Sequence, residues 1–229
     1  GLVLPPEVLR RLDAAIGRRS HREPLDYITG RVEFYGREFL VSPGVLIPRP
    51  DSESLVDLVL KNFPPASAPK ILDVGTGSGA LAITLKLELP RAEIFASDIS
   101  PAALKIAAQN TARLGAKINF IKSDLLRQIS DRFDLIVANL PYVDPTWTWT
   151  DPEIQFEPRS ALFADDFGLA LIKKLIIQAP NHLTAGGKLL LEMDESQKLK
   201  VEKFAARQNF RVIDRAPFAL MLAKPPPQA

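Results

Sequence analysis

The stretch Ile71-Leu72-Asp73-Val74-Gly75-Thr76-Gly77-Ser78-Gly79 decides the fold. Its first four residues are a short apolar run of strand type, and the glycines that follow can turn the backbone sharply and approach a ligand closely. Ala80 to Leu89 then reads as a helix, so the glycine turn sits at a helix N-terminus whose free N–H groups face outward. Asp98 follows Gly79 by about the ~20 residues expected of an acid that ends the next strand and binds ribose hydroxyls. Gly75, Gly77 and Ala80 also satisfy a relaxed dinucleotide fingerprint, so a nicotinamide dehydrogenase enters the comparison. Asp73 argues against it. A carboxylate beside the turn suits a cationic ligand, such as a sulfonium with its amino group, and sits badly beside a pyrophosphate.

Strands and helices alternate outward from this point. Lys70–Val74, Ala92–Ser97, Ile118–Lys122, Phe133–Ala138 and Lys188–Glu192 read as strands, with Arg211–Asp214 and Ala219–Ala223 as the last two. Pro101–Leu114, Leu169–Ala179 and Glu195–Gln208 read as helices. The alternation implies a mainly parallel seven-stranded sheet covered by helices on both faces. Before it, Pro5–Gly17 has Val8, Leu9, Leu12 and Ile16 at helical spacing with Gly17 as a stop, and Arg31–Ser42 reads as two strands around a turn at Gly36–Arg37. In the loop Ile47-Pro48-Arg49-Pro50-Asp51-Ser52-Glu53, Asp51 starts a helix that runs to about Asn62, and Phe63–Pro69 is a linker by composition. The division expected is a helix and hairpin over 1–45, a catalytic domain over 46–224, and a loose tail over 225–229.

Composition bounds the rest. The 229 residues are 46% hydrophobic and 24% charged, with a net charge of +2 and no cysteine. This is the balance of a globular protein. It excludes disulfides and thiolate chemistry, and with only His21 and His182 no metal is expected. The charge gives no electrostatic case for nucleic acid. No apolar run reaches the length of a membrane span, since Leu169–Ile177 is interrupted by Lys173 and Lys174. No signal peptide is visible, and the initial Gly reads as a trimmed start. A cytoplasmic monomer is expected.

A second motif lies at the end of the fourth core strand, where open α/β sheets place their ligands: Asn139-Leu140-Pro141-Tyr142. An amide nitrogen is a poor nucleophile because its lone pair is delocalised. The Asn139 side-chain oxygen and the Leu140 carbonyl can each accept one N–H of a flat NH₂ group, disfavouring that delocalisation as charge develops. The Tyr142 ring can pack on the amide plane. Ser123-Asp124 closes the third strand, where a carboxylate suits an adenine amino group.

Together LDVGTGSGALAI, IPRPDSE, IVANLPYVD and FEPRSALFADDFGL, in this order from about Pro24 to Glu192, resemble the glutamine N5-methyltransferases that modify class I peptide-chain release factors. The resemblance implies a Rossmann-like class I methyltransferase fold, with S-adenosylmethionine as cofactor and S-adenosylhomocysteine as product. It also implies a Gly-Gly-Gln glutamine as acceptor, with no membrane or direct nucleic-acid partner. By that resemblance Asp73, Gly75, Thr76, Gly77, Ser78, Gly79, Asp98, Ile99, Asp124, Leu125 and Asn139 bind the cofactor. Asn139 to Tyr142 hold the substrate, with Arg49 and Pro50 beside them. Three departures stand out. Leu140 replaces a proline usual in the family, only the last helix of the family's N-terminal helical domain is present, and Met193-Asp194-Glu195 replaces a small-residue stretch. The tetrapeptide is also similar to that of adenine-N6 methyltransferases of RNA or DNA, for which Trp147 and Trp149 would stack a base. Against that reading, Asp144, Asp151, Glu153 and Glu157 would repel phosphate. A ribosomal-protein glutamine is a further alternative, and so is a cofactor-binding scaffold without catalysis.

Overall fold

The computed structural model describes residues 4–148 and 151–224. Trp149 and the expected tail over 225–229 lie outside the described residues. Helix α1 (Pro6–Ser20) opens the chain, followed by α2 (Leu25–Thr29) and the hairpin β1 (Arg31–Phe34) and β2 (Arg37–Leu40). A 3-10 turn (Pro50–Ser52) leads into α3 (Glu53–Asn62). Then come β3 (Lys70–Val74), α4 (Ala80–Glu88), β4 (Glu93–Asp98), α5 (Pro101–Leu114), β5 (Asn119–Lys122) and β6 (Phe133–Ala138). The chain closes with α6 (Arg159–Leu162), α7 (Ala170–Gln178), β7 (Leu183–Glu192), α8 (Lys198–Arg207), β8 (Arg211–Ala216) and β9 (Ala219–Ala223).

Seven strands form one sheet in the order β5-β4-β3-β6-β7-β9-β8. The neighbours from β5 to β7 pair in parallel, and β9 runs antiparallel between β7 and β8. The order reverses at β3, the first strand, so the crevice for a ligand opens where the connections leaving the adjacent strands β3 and β6 run in opposite directions. Alternate residues along each strand serve opposite faces. Leu72, Ile136, Leu189 and Leu222 pack with α7 and α8 residues such as Ile172, Leu175 and Val201. Ile71, Leu135, Leu190 and Met221 pack with Leu55, Val59, Ile83 and Leu85 of α3 and α4. Phe34 and Phe39 of the hairpin share that second cluster, with their rings edge to face at 6.2 Å. The hairpin is therefore seated on the helical layer.

Local chemistry explains the best-defined element. Ser100 caps α5 by accepting from Ala103 N at 3.2 Å, Pro101 occupies the first turn, and Gly115 ends the helix at φ 67°. Elsewhere the structure corrects the expected boundaries. Gly17 does not stop α1, which continues to Ser20 and buries none of its residues. The hairpin turn is Tyr35–Gly36, both left-handed at φ 50° and 69°, one residue earlier than expected. That pair of positive angles is the type I′ geometry that follows the strand twist. Strand β7 begins at Leu183, five residues before the expected start at Lys188. Glu195–Gln197 is a 3-10 turn closed by a capping box from Asp194, and α8 follows it.

Candidate active site

The glycine loop is built from β3 and braced by β4. Gly75 N and Thr76 N donate to Ser97 O at 2.8 and 2.9 Å, and Gly77 N donates to Asp98 Oδ2 at 2.9 Å. The other Asp98 oxygen accepts from Ser100 N at 2.8 Å. Gly75 and Gly77 hold φ 78° and 55°, a region costly for any residue with a side chain. A β-carbon on Gly75 would stand 3.0 Å from Leu140 Cδ2, so the loop and the Asn139–Tyr142 segment are packed against each other. A β-carbon on Gly77 would meet nothing within 4 Å, because that glycine faces open space.

The open space is a cavity of about 440 Å³, within the range of small-molecule sites. Gly75, Gly77, Asp98, Ile99, Asp124, Leu125, Asn139, Leu140 and Pro141 line it together. Its wall is completed by residues that the sequence reading did not assign to the site. These are Pro43–Leu46 ahead of the IPRP loop, Ser100, Ala102 and Ala103 of α5, Pro158, Ser160 and Ala161 around α6, and Leu171 of α7. They are small or apolar side chains that only the tertiary fold brings to the cavity; Pro158, Ser160 and Ala161 lie in the FEPRSALFADDFGL stretch, and the others lie in no quoted motif.

The remaining expected site residues lie around the cavity and not on its wall. Asp73 is 1% exposed, and its Oδ2 accepts from Thr76 Oγ1 at 2.7 Å. Burial pushes its carboxyl up to about 7, opposed by the Thr76 hydroxyl. Ser78 is buried with its carbonyl bonded to Asn110 Nδ2 at 2.9 Å, and Gly79 packs against Ile83 and Ala107 as α4 begins. These four stiffen the turn from beneath. Arg49 is paired with Glu157, whose other oxygen accepts from Ile47 N at 2.9 Å, while Pro50 is exposed at the start of the 3-10 turn. Asp124 lines the cavity but its carboxylate already meets Lys174 at 3.2 Å and Arg127 at 3.4 Å; the Lys174 contact, foremost, holds it below the usual carboxylate range.

Asn139 and Tyr142 are both anchored by side chains distant in sequence. Asn139 Nδ2 donates to Ser52 Oγ at 2.9 Å, so its Oδ1 is the polar atom left for a ligand. The Tyr142 hydroxyl donates to Glu192 Oε1 at 3.2 Å, and Gln197 Nε2 donates to Tyr142 O at 2.8 Å. Ser52 lies in the IPRPDSE stretch but its role had no signal there, and Glu192 and Gln197 carried none, because each meets its partner only across the fold.

Two of the four acids counted against nucleic acid, Glu153 and Glu157, are offset by arginines in the structure. Asp144 accepts from Thr146 N and Oγ1, Asp151 caps a 3-10 turn through Glu153 N, Glu153 meets Arg19 at 2.7 Å, and Glu157 pairs with Arg49. The contacts of Asp144 and Asp151 are with uncharged donors and do not offset the repulsion of phosphate.

The family model described as "Methyltransferase small domain" matches residues 42–151, the span that carries the glycine loop and Asn139–Tyr142. The chain is 49% identical over 211 residues to a release factor glutamine methyltransferase of Koribacter versatilis (strain Ellin345), covering 89% of this chain and 74% of the relative. It is 40% identical over 195 residues to the enzyme of the same name in Deinococcus radiodurans, covering 85% and 70%. Among solved structures it is similar to a ribosomal protein L11 methylase from Lactobacillus delbrueckii subsp. bulgaricus, with 27% identity, a TM-score of 0.59, and coverage of 80% of this chain and 82% of that one. The fold is that of the Rossmann-like class I methyltransferases, and the chain belongs to the release factor glutamine methyltransferase family.

Proposed function

We propose that this chain transfers a methyl group from S-adenosylmethionine to the side-chain amide N5 of a protein glutamine, that of the Gly-Gly-Gln motif of a class I peptide-chain release factor. The observation that carries the reading is the placement of Asn139 and Leu140 on the wall of the cavity that Gly75, Gly77 and Asp98 also line. The cavity fits the cofactor chemically. It has room for a nucleoside with an amino-acid tail, an acid at the end of β4 for ribose hydroxyls, and apolar faces from Ile99 and Leu125 for a base. S-adenosylmethionine supplies a methyl group already activated on a sulfonium.

The chain's own residues position and polarise the acceptor. Methyl transfer is an in-line displacement, so most of the catalysis lies in orientation. Asn139 Oδ1 and the Leu140 carbonyl accept the two N–H groups of the glutamine amide, and these bonds strengthen as positive charge gathers on nitrogen. Leucine supplies the same main-chain carbonyl as the proline usual in the family. Tyr142, held at both its hydroxyl and its carbonyl, packs on the amide plane. The methylated amide cation is strongly acidic and gives its proton to water, so no general base is needed at the nitrogen. Arg49, bound to Glu157, fixes the IPRP loop beside this segment. The working division of the chain remains 1–45, 46–224 and 225–229, with the hairpin of the first part supporting α3 and α4 of the second. Among the described residues no helix is long and apolar enough to cross a membrane.

The test is incubation with methyl-labelled cofactor and a mixture of release factors, ribosomal proteins and ribosomal RNA. Label on the release factor is expected. Label confined to RNA, or to a ribosomal protein, overturns the choice of substrate.

A further inference from the structure

Behind the Asn139 amide lies a buried carboxylate. Glu192 ends β7 at 1% exposure, and Tyr142 donates its hydroxyl to Oε1 at 3.2 Å. Oε2 is buried without a hydrogen bond of ordinary geometry among the described residues. A carboxylate oxygen in that position is costly unless a donor turns toward it. The Ser52 hydroxyl and the Asn139 amide adjoin it, and both favour its ionised form. Ser52 Oγ in turn accepts from Asn139 Nδ2 at 2.9 Å.

The direction of donation follows from what each group can do. An ionised carboxylate only accepts, and a hydroxyl has one proton to give. With the Ser52 proton turned to the orphaned Oε2 of Glu192, the assignment that would satisfy that oxygen, Ser52 can only accept from Asn139. Were the Asn139 amide turned over, its oxygen would face Ser52 and its NH₂ would face the NH₂ of a substrate, two donors opposed. Ser52 alone does not forbid that orientation, since a hydroxyl bonds equally well either way. The carboxylate does.

Resting on the glutamine reading above, we propose that Ser52 and Glu192 are positioning residues that lock Asn139 with its carbonyl oxygen, not its NH₂, toward the methyl acceptor. Neither lines the cavity, so both act through Asn139. Protonation of Glu192 releases the lock, because a carboxylic acid can donate to Ser52 and free its proton for Asn139. Burial pushes the Glu192 carboxyl up to about 7; Ser52, Tyr142 and Asn139 oppose that rise, and Asp51 on the 3-10 turn adds to it. The other charged group facing the pair is Asp194 after β7, which acts on Tyr142, while β9 presents only Ala219 opposite Glu192. The lock is thus closed above neutrality and open below it.

Two readouts test this. The Asn139 side-chain ¹⁵NH₂ resonances, assigned by their loss in Asn139→Ala, are followed across neutral pH without any substrate. Wild type is expected to show an inflection near 7, the position of the Glu192 carboxyl, and Glu192→Gln to show none. A flat wild-type profile, or an inflection that survives in Glu192→Gln, overturns the proposal. In methyl transfer to a release factor, Ser52→Ala is expected to lower kcat by roughly tenfold to a hundredfold, the effect of one or two lost hydrogen bonds, with KM and cofactor affinity within about threefold. Ser52→Thr, which keeps the hydroxyl, is expected to restore most of the rate. Full kcat in Ser52→Ala, or no rescue by threonine, overturns it. A wild type that methylates no glutamine refutes the substrate reading alone, and the resonance titration then decides the positioning roles.

Discussion

Gly168 lies so close to Tyr142 that a β-carbon on it would stand 2.0 Å from the Tyr142 carbonyl oxygen and 2.6 Å from Gln197 Nε2. That oxygen accepts from Gln197, which also bonds Phe167 O at 2.9 Å. The ADDFGL segment thus clasps the Asn139–Tyr142 loop from behind, with Asp166, Phe167 and Gly168 all left-handed at φ 57°, 57° and 81°.

Gly168→Ala therefore forces the Tyr142 main chain to move, in addition to a left-handed cost of roughly 1–2 kcal/mol. We expect turnover to fall at least tenfold and melting to drop by several degrees, checked by initial rates and calorimetry. Gln197→Ala, which adds no bulk, is expected to give a smaller loss of the same kind.

Asp98 serves the glycine loop through Gly77 N and the α5 entry through Ser100 N. Asp98→Ala removes an ionised acceptor from both and from any ribose hydroxyl. Hydrogen bonds to charged groups are worth ~1.5–3 kcal/mol, so cofactor affinity is expected to fall by about ten- to a hundredfold in calorimetric titration. Unchanged affinity would detach the β4 acid from the cofactor.

Stability is expected to decline as pH rises from mild acid to neutrality. Asp73 and Glu192 are both raised to about 7 by burial, from 3.8 and 4.5. Between those values the folded chain holds protons that the unfolded chain has released, so stability present in acid is lost as pH climbs to about 7 and then levels. A unit of displacement is ~1.4 kcal/mol, and a kcal/mol shifts melting by ~2–4 °C in a domain of this size. Asp73→Asn keeps an acceptor for Thr76 and is expected to flatten the slope, melting a few degrees above wild type in mild alkali. A slope unaltered by this change would contradict the buried, proton-holding state of Asp73.

The sheet was legible where apolar runs end at glycine or proline. Strands β3, β6 and β9 and helix α5 occupy the residues expected of them. The early start of β7 was hidden because Thr184-Ala185-Gly186-Gly187 has the composition of a turn. In the fold Gly186 adopts φ 76°, and a β-carbon on Gly187 would press within 3.0 Å of Phe133 O, so the glycines permit close strand approach. Helices α2 and α6, at five and four residues, are too short to show a period. The part of the cavity wall formed by the glycine loop, Asp98 and Asn139–Pro141 could be read from motifs. Its support could not, since Ser52 meets Asn139 across 87 residues and Glu192 meets Tyr142 across 50.

The central claim is that two acceptors at Asn139 and Leu140 grip a glutamine NH₂ before the activated methyl. It is tested most directly by single-turnover methyl transfer to a release factor, with the modified atom located by peptide fragmentation, in wild type and Asn139→Ala. The account predicts one methyl on the glutamine of the Gly-Gly-Gln motif. It also predicts a rate loss of about 10²–10³-fold in the variant, by comparison with losing one preorganised polar contact to the transition state, with cofactor affinity changed far less. A methyl found elsewhere, or an undiminished rate in Asn139→Ala, would contradict it.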